Sequence, residues 1–372
     1  MKIAFITDHY APKMDGVVTR LTSTIDYLLA AGNQVLLITS VKQSKSSQTN
    51  FSVLCLPAIH FPLTKRRHIA WRFNRAKKAL DSFQADIIHI VNLTSIAYFA
   101  SSYAQKNHIP LVCSIHTDYL AYLSYFRLPI FRRIVVHWFR KLNRVADLIL
   151  CTSTFMQGKL KTLGVTNALV WQPGSASLKQ PYSSQELRKI RNKICSYDID
   201  KPVLIYVGRV SREKNIASLK SLLSALPELQ LAIIGDGRDR SRLKRIFANT
   251  HTTFIRKVNK PELNKIYSAA DALILPSKTE TVGLVLLEAM ACHCPVIAAN
   301  AGGIVDIIQD RQTGLLYQAD NQTVLLDAVE YCLQDKTATQ TRVNKAYHFA
   351  AQMSWEAANQ QLWQYYQSLL EK

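Results

Sequence analysis

The chain has 372 residues, 48% of them hydrophobic, and carries 46 Lys and Arg against 26 Asp and Glu, for a formal net charge of +20. That length is too great for one ordinary core and suits two domains of about 150 to 200 residues, and the apolar fraction is enough to build both. Seven cysteines, odd in number and never spaced C-x-x-C, suggest neither a zinc site nor a disulfide framework and fit a reducing cytoplasm.

The opening "MKIAFITDHY" meets Asp8 after a short apolar run, which is too short and polar for a signal peptide. No uncharged, strongly apolar window reaches the roughly 20 residues of a spanning helix. The charge is lopsided: residues 1 to 180 hold 22 Lys and Arg against 7 Asp and no Glu. Such a one-sided field points to nucleic acid, anionic lipid or an acidic ligand as partner.

In chain order, "KIAFIT", "QVLLIT", "SVLCL", "DIIHIV", "PLVCSI", "DLILCT" and "ALVW" read as strands, several separated by segments of helical periodicity. Continuous apolar strands imply a parallel sheet covered on both faces. The Pro, Gly and Ser of "QPGSASLKQPYSSQELRK" then mark an interdomain region. Strands resume with "PVLIYVG", "LQLAIIG", "TTFI", "DALILP" and "PVIAA". The expected fold class is α/β, two tandem Rossmann-like doubly wound domains facing a cleft. The boundaries are 1–175 for the first domain, 176–200 for the hinge region, 201–345 for the second domain and 346–372 for a C-terminal helix.

Several segments after strands could carry chemistry. "DHYAPKMDGVVTRL" leads into a helix that Asp15 would cap, with Gly16 permitting close phosphate approach, although a plain strand-to-helix turn looks the same. "SIHTDY" sets His116 and Asp118 beyond a strand, as cleft-lining groups or as a hydrogen-bonded structural pair. In "GRVSREKN", Arg209, Arg212 and Lys214 would suit a diphosphate. A solvated turn with a Glu213 ion pair is the plain alternative. "GDG", from Gly235 to Gly237, lacks the third glycine of the dinucleotide fingerprint.

"SKTETVGLVLLEAM" is sharper. It runs from a strand into a helix whose opening amides form an anion site if uncapped. Ser277-x-x-Glu280 also matches a capping box, which would make Glu280 structural. Glu288, among aliphatic residues, must point into the protein or a cleft and needs a partner, either a structural group or a ligand hydroxyl.

Together these segments, with "AGGIVDII" and "TGLLY", resemble the retaining glycosyltransferases of family 4 with the GT-B fold, over nearly the whole chain. The resemblance implies that Arg209 and Lys214 bind the diphosphate of a nucleotide-sugar donor. It implies further contributions from Gly16, Gly235, Thr281, Val282, Gly283 and Leu284. Glu288 would hydrogen-bond the ribose, Glu280 the transferred sugar, and His116 would sit beside the sugar. It implies catalysis by His116, Arg209, Lys214 and Glu280, front-face substitution with retention, and no obligatory cofactor or metal.

"PKMDGVVTR" and "SIHTDY" look most like the branch that glycosylates diacylglycerol-type lipids, though some mannosyltransferases are similar there. Partners implied are a nucleotide-sugar, a UDP-sugar in that branch, a lipid acceptor and an anionic membrane surface, with no nucleic acid. The location implied is peripheral, on the cytoplasmic face of the membrane. In "IFRRIVVHWFRKLNR", Phe131, Ile134, Val135, Trp138 and Leu142 form one helical face and Arg133, Arg140, Lys141 and Arg144 another, as at a membrane surface or on an ordinary core-facing helix. Trp71 and Phe73 lie in a second such stretch.

Two departures stand out. Ala176 occupies the usual hinge Asp position, and Arg256 replaces a Gly in a loop that helps hold the base. A glycosyltransferase acting on another glycan or soluble acceptor, a nucleotide-sugar epimerase and a nonenzymatic nucleic-acid-binding protein are the competing readings. The last leaves the acidic pair unexplained.

Overall fold

The computed structural model describes residues 1–8, 10, 15–41, 50–61, 64–125, 129–175 and 182–371. Ala176 and the Ser-rich stretch around Ser44 lie outside them. The chain forms two compact units, Met1–Gln172 with Trp355–Lys372, and Pro173–Ser354.

In the first unit the strands are β1 (Lys2–Thr7), β2 (Gln34–Thr39), β3 (Ser52–Cys55), β4 (Ala58–Phe61), β5 (Thr64–Ala70), β6 (Ile87–Val91), β7 (Leu111–Ile115), β8 (Leu148–Cys151) and β9 (Ala168–Val170). Seven of them build a parallel sheet in the order β3-β2-β1-β6-β7-β8-β9, while β4 and β5 pair antiparallel as a hairpin. β6, β7 and β8 are buried along their whole length, as expected when helices cover both faces.

The second unit holds β10 (Val203–Val207), β11 (Gln230–Ile234), β12 (Thr252–Ile255), β13 (Ala272–Leu275), β14 (Val296–Ala299) and β15 (Leu315–Tyr317). They form a parallel sheet in the order β12-β11-β10-β13-β14-β15. This is the doubly wound order, which reverses between β10 and β13. Loops leaving the carboxyl ends of those two strands diverge there, and that is where such sheets bind ligands.

The expected hinge region is largely structured. Ser184–Ile194 is a helix with a capping box between Ser183 and Glu186. Arg191 anchors it to the second unit, donating to the carbonyls of Ile199 (2.7 Å), Lys201 (2.8 Å) and Ala269 (2.9 Å) and to the Asp271 carboxylate (3.1 Å). The Pro- and Ser-rich composition concealed this helix because its Ser183 is a cap.

At the other end, Lys336–Gln352 is one helix of the second unit, so the boundary expected after residue 345 falls inside it. A separate helix, Trp355–Leu370, belongs to the first unit, where Leu362 and Tyr366 join the core with Ile25, Leu28 and Trp171.

The helix Arg132–Val145 turns a different edge to the core from the one its pattern suggested. Phe139 and Leu142 are buried with Val135 packed beside them, while Ile134 is 53% exposed and Trp138 only half-buried. Positions 135, 139 and 142 share the buried face, and the apolar arc is wider than that face, so 131 and 134 are left exposed. Phe73 likewise packs inward, stacked on Phe99 at 5.1 Å, whereas Trp71 is half exposed.

Candidate functional site

The second unit brings two of the expected residues together at its topological switch point. Lys214 ends a short 3-10 turn, Arg212–Lys214, beyond β10, and Glu280 lies in the loop after β13. The Lys214 ammonium meets Glu280 Oε1 at 2.6 Å, with the two side chains 17% and 16% exposed. Glu280 therefore makes no capping box. Ser277 Oγ takes only a 3.5 Å contact from the Thr279 amide, and the helix Leu284–Met290 starts from Gly283 without a side-chain cap.

The backbone of Glu280 is held from another direction. Its carbonyl accepts from the Gly303 amide at 2.8 Å, and a Cβ on Gly302, where φ is +62°, would lie 2.3 Å from that oxygen. The "AGG" segment thus positions the acidic loop, and glycine is required for the approach. Gly283 adopts φ +88° where the loop enters the helix, a conformation that costs other residues energy. As the N-cap residue, Gly283 brings no side chain to cap the first turn.

Arg209 follows Gly208, is 42% exposed and lies 3.8 Å from Glu213 Oε1. Glu213 itself accepts from Ser211 Oγ at 2.6 Å. Arg209 thus keeps the loose ion pair of an ordinary turn, while Lys214 is drawn to Glu280. Burial, aided by the nearby charges of Glu280 and Glu213, pushes the Tyr206 phenol well above its ordinary range. Its hydroxyl donates to the Arg209 carbonyl at 2.8 Å.

Glu288 has protein partners. Its Oε2 accepts from the hydroxyl of fully buried Tyr267 at 3.0 Å, and Oε1 forms an ion pair with Lys260. These contacts account for a carboxylate among aliphatic residues without a ligand. Desolvation, then the Glu288 charge and hydrogen bond, drives the Tyr267 hydroxyl well above its ordinary value, so it remains a donor. Lys260 and Tyr267 were not singled out from sequence. A Tyr pointing inward from the helix Lys260–Ala269 carries no sign there of its acidic partner.

Gly235 and Gly237 serve backbone packing. A Cβ on Gly235 would lie 1.9 Å from the Gly208 carbonyl oxygen, and one on Gly237 2.0 Å from that of Val210. The loops after β10 and β11 are in close contact there. Arg256 is exposed just beyond β12.

In the first unit, Asp15 caps the helix Gly16–Ala30, accepting from the amides of Val17 and Val18 at 3.1 Å. His116 follows β7. Its amide donates to Asn92 Oδ1 and its Nε2 meets Ser114 Oγ, both at 2.9 Å. Asp118 is structural: it accepts from the Ala121 amide at 2.9 Å and pairs with Lys159. Unanticipated from sequence, Arg20 is buried with its guanidinium 3.5 Å above the Trp171 ring and donates to the carbonyls of Trp171 (2.9 Å) and Gln172 (2.5 Å). Burial lowers its pKa to about 9.

Comparison with known proteins fits this geometry. Residues 14–174 match the family model described as Glycosyltransferase Family 4, and residues 189–349 that described as Glycosyl transferases group 1. The chain is 29% identical to the sulfoquinovosyl transferase SQD2 of Arabidopsis thaliana, over 93% of this chain and 69% of that protein. It is 27% identical to a GDP-mannose-dependent alpha-mannosyltransferase of Mycobacterium tuberculosis, over 90% and 89%. It is also 29% identical to the alpha-monoglucosyldiacylglycerol synthase of Streptococcus pneumoniae, over 86% and 76%. Among solved structures, Anabaena HepE in complex with UDP-glucose superimposes with a TM-score of 0.81 at 20% identity, over 99% of this chain and 100% of that one.

Proposed function

The chain belongs to glycosyltransferase family 4, with the GT-B fold of two Rossmann-like domains, and from that premise we propose that it transfers a sugar from a UDP-sugar to a diacylglycerol-type lipid at a membrane surface. The observation that carries the transfer chemistry is the Lys214–Glu280 pair at the β10/β13 switch point. An incoming diphosphate competes for the ammonium, and the released Glu280 carboxylate turns to the sugar hydroxyls. Arg209, exposed beside it, adds a second cation, and the uncapped amides at Gly283 and Leu284 add dipoles of the same sign.

The proposed reaction proceeds with retention. The acceptor hydroxyl oxygen bonds to the anomeric carbon on the face from which the phosphate leaves. The carbon–oxygen bond to the diphosphate breaks, its electron pair staying on the phosphate, and that phosphate takes the hydroxyl proton. Cationic groups aimed at the leaving oxygen stabilise this charge without a metal. Glu288, already oriented by Tyr267, offers an acceptor to the ribose hydroxyls.

The lipid part rests on the first unit. Ile130 (79% exposed), Ile134 (53%) and Phe131 (37%) stand beside Arg132 and Arg133, and residues 119–146 include no acidic side chain. Apolar side chains flanked by cations suit the headgroup region of an anionic bilayer. Among the described residues, no helix is long and apolar enough to cross a membrane. Peripheral attachment to the cytoplasmic face fits the proposed nucleotide-sugar supply. Similarity to a synthase of monoglucosyldiacylglycerol points the same way.

Radiolabelled UDP-sugars and GDP-mannose, each incubated with the protein and a bacterial lipid extract, test the reading after organic–aqueous partition. Label from a UDP-sugar in the organic phase, lost with Lys214→Ala and Glu288→Ala, is expected. Aqueous label alone would overturn the lipid acceptor, and a new sugar nucleotide would favour an epimerase. Transfer from GDP-mannose alone would overturn the UDP donor.

A further inference from the structure

Four residues of the first unit form a continuous hydrogen-bonded chain. Tyr366, on the helix Trp355–Leu370, is fully buried and its hydroxyl lies 2.5 Å from His89 Nδ1. His89, at 0% exposure in β6, meets Ser114 Oγ of β7 through Nε2 at 2.9 Å. Ser114 Oγ in turn lies 2.9 Å from His116 Nε2. We infer that this chain runs in one direction, from Tyr366 through His89 and Ser114, and locks His116 as the tautomer protonated on Nδ1.

The direction follows from counting protons. Among the described residues, His89 Nδ1 is the hydrogen-bond partner of the Tyr366 hydroxyl. If Nδ1 carried a proton and donated, the buried phenolic hydrogen would have no acceptor and would forfeit its full desolvation cost. Tyr366 therefore donates, and Nδ1 is an acceptor. A neutral imidazole then carries its proton on Nε2, which donates to Ser114 Oγ. The Ser114 hydroxyl has the two imidazoles as its partners among the described residues. Already accepting from His89, it donates to His116 Nε2, leaving the His116 proton on Nδ1.

A doubly protonated His89 would break this sequence, and the site opposes it. Burial first, and the positive charge of buried Arg20 second, push the His89 pKa down to about 3. Arg20 is itself held by two carbonyls and the Trp171 ring, so its charge stays in place.

The consequence for chemistry rests on the proposed transfer function. With its proton on Nδ1, the His116 ring can donate a hydrogen bond from that nitrogen to a substrate oxygen and cannot take a proton there. It acts as an orienting donor, not as a general base. Tyr366, His89 and Ser114 are positioning residues, and the C-terminal helix supplies the first proton of the chain.

Nitrogen-15 NMR of histidine-labelled full-length protein reads the tautomers without substrate. The expected spectrum has His116 protonated on Nδ1 and His89 on Nε2. Tyr366→Phe removes the hydroxyl while keeping the ring, and both histidines should become tautomer mixtures with the fold intact by circular dichroism. Ser114→Ala should release His116 alone. In both variants the turnover number for sugar transfer should fall by about tenfold, as for one lost orienting hydrogen bond, with the donor KM unchanged. A wild-type His116 protonated on Nε2, or spectra unmoved by Tyr366→Phe, would overturn the chain's direction. Shifted tautomers with unchanged turnover would overturn its role in transfer. Absence of transfer in the wild type would remove the functional reading while the spectra still decide the tautomers.

Discussion

The Lys214 ammonium and the Glu280 carboxylate meet at 2.6 Å, although 66 residues separate them in sequence, because β10 and β13 are neighbours in the second sheet. Each arrives in a loop at the carboxyl end of its strand, and each loop is held by contacts of its own. The pair is charge-balanced, so the proposed diphosphate would have to displace Glu280 from the ammonium. Its disposition depends on the backbone beneath it as much as on the two side chains.

Gly302→Ala tests that backbone. A Cβ 2.3 Å from the Glu280 carbonyl, at φ +62°, forces the acidic loop to move. A loss of about 1–3 kcal/mol is expected from strain and the disturbed hydrogen bond, together with weakened UDP-sugar binding. Denaturant unfolding and calorimetric titration measure the two effects. Unchanged binding would show that the loop position does not matter to the donor.

Tyr267→Phe separates the structural from the functional partner of Glu288. Losing the 3.0 Å hydrogen bond should cost about 1 kcal/mol of stability. Lys260 remains, so transfer should fall only several-fold, whereas Glu288→Ala should abolish it. Parallel thermal melts and initial rates distinguish this from a wholly structural Glu288, for which both variants would lose stability and keep activity.

The exposed apolar group predicts a separable membrane defect. Ile130→Asp with Ile134→Asp replaces side chains that are 79% and 53% exposed, so stability should change by about 0.5 kcal/mol or less. Sedimentation with phosphatidylglycerol vesicles should fall by tenfold or more. Wild-type binding should weaken from 0.05 to 0.5 M salt as the cationic contribution is screened. Vesicle binding that neither the substitutions nor salt weakens would rule this surface out.

His89 predicts acid sensitivity. Its folded pKa, about 3, lies below the ordinary imidazole value of 6.5, so the unfolded chain binds the proton more readily. The contribution is fully present above pH 6.5 and is lost as pH falls toward 3, at up to about 1.4 kcal/mol per unit. Between pH 6.5 and 5, where most carboxylates stay ionised, stability should already decline. His89→Gln should flatten that slope, as urea unfolding at stepped pH would reveal.

Much of this protein could be read from residue order because the signals are local. Continuous apolar runs such as "DIIHIV" and "DALILP" are buried parallel strands, and Asp15 caps the helix it precedes. "GRVSREKN" and "ETVGLVLLE" marked the loops that the second sheet brings together. Other features required the fold. Glu288 needed a partner that its own segment could not name, and only the fold sets Tyr267 and Lys260 beside it. That Gly235 makes room for the Gly208 carbonyl is likewise visible only in the fold. The chain from Tyr366 to His116 runs through His89, 277 positions from Tyr366, and appears in no window of sequence. Periodicity and capping act over a few residues and are written in composition, whereas hydrogen-bond partners and close backbone approaches depend on which strands the topology sets side by side.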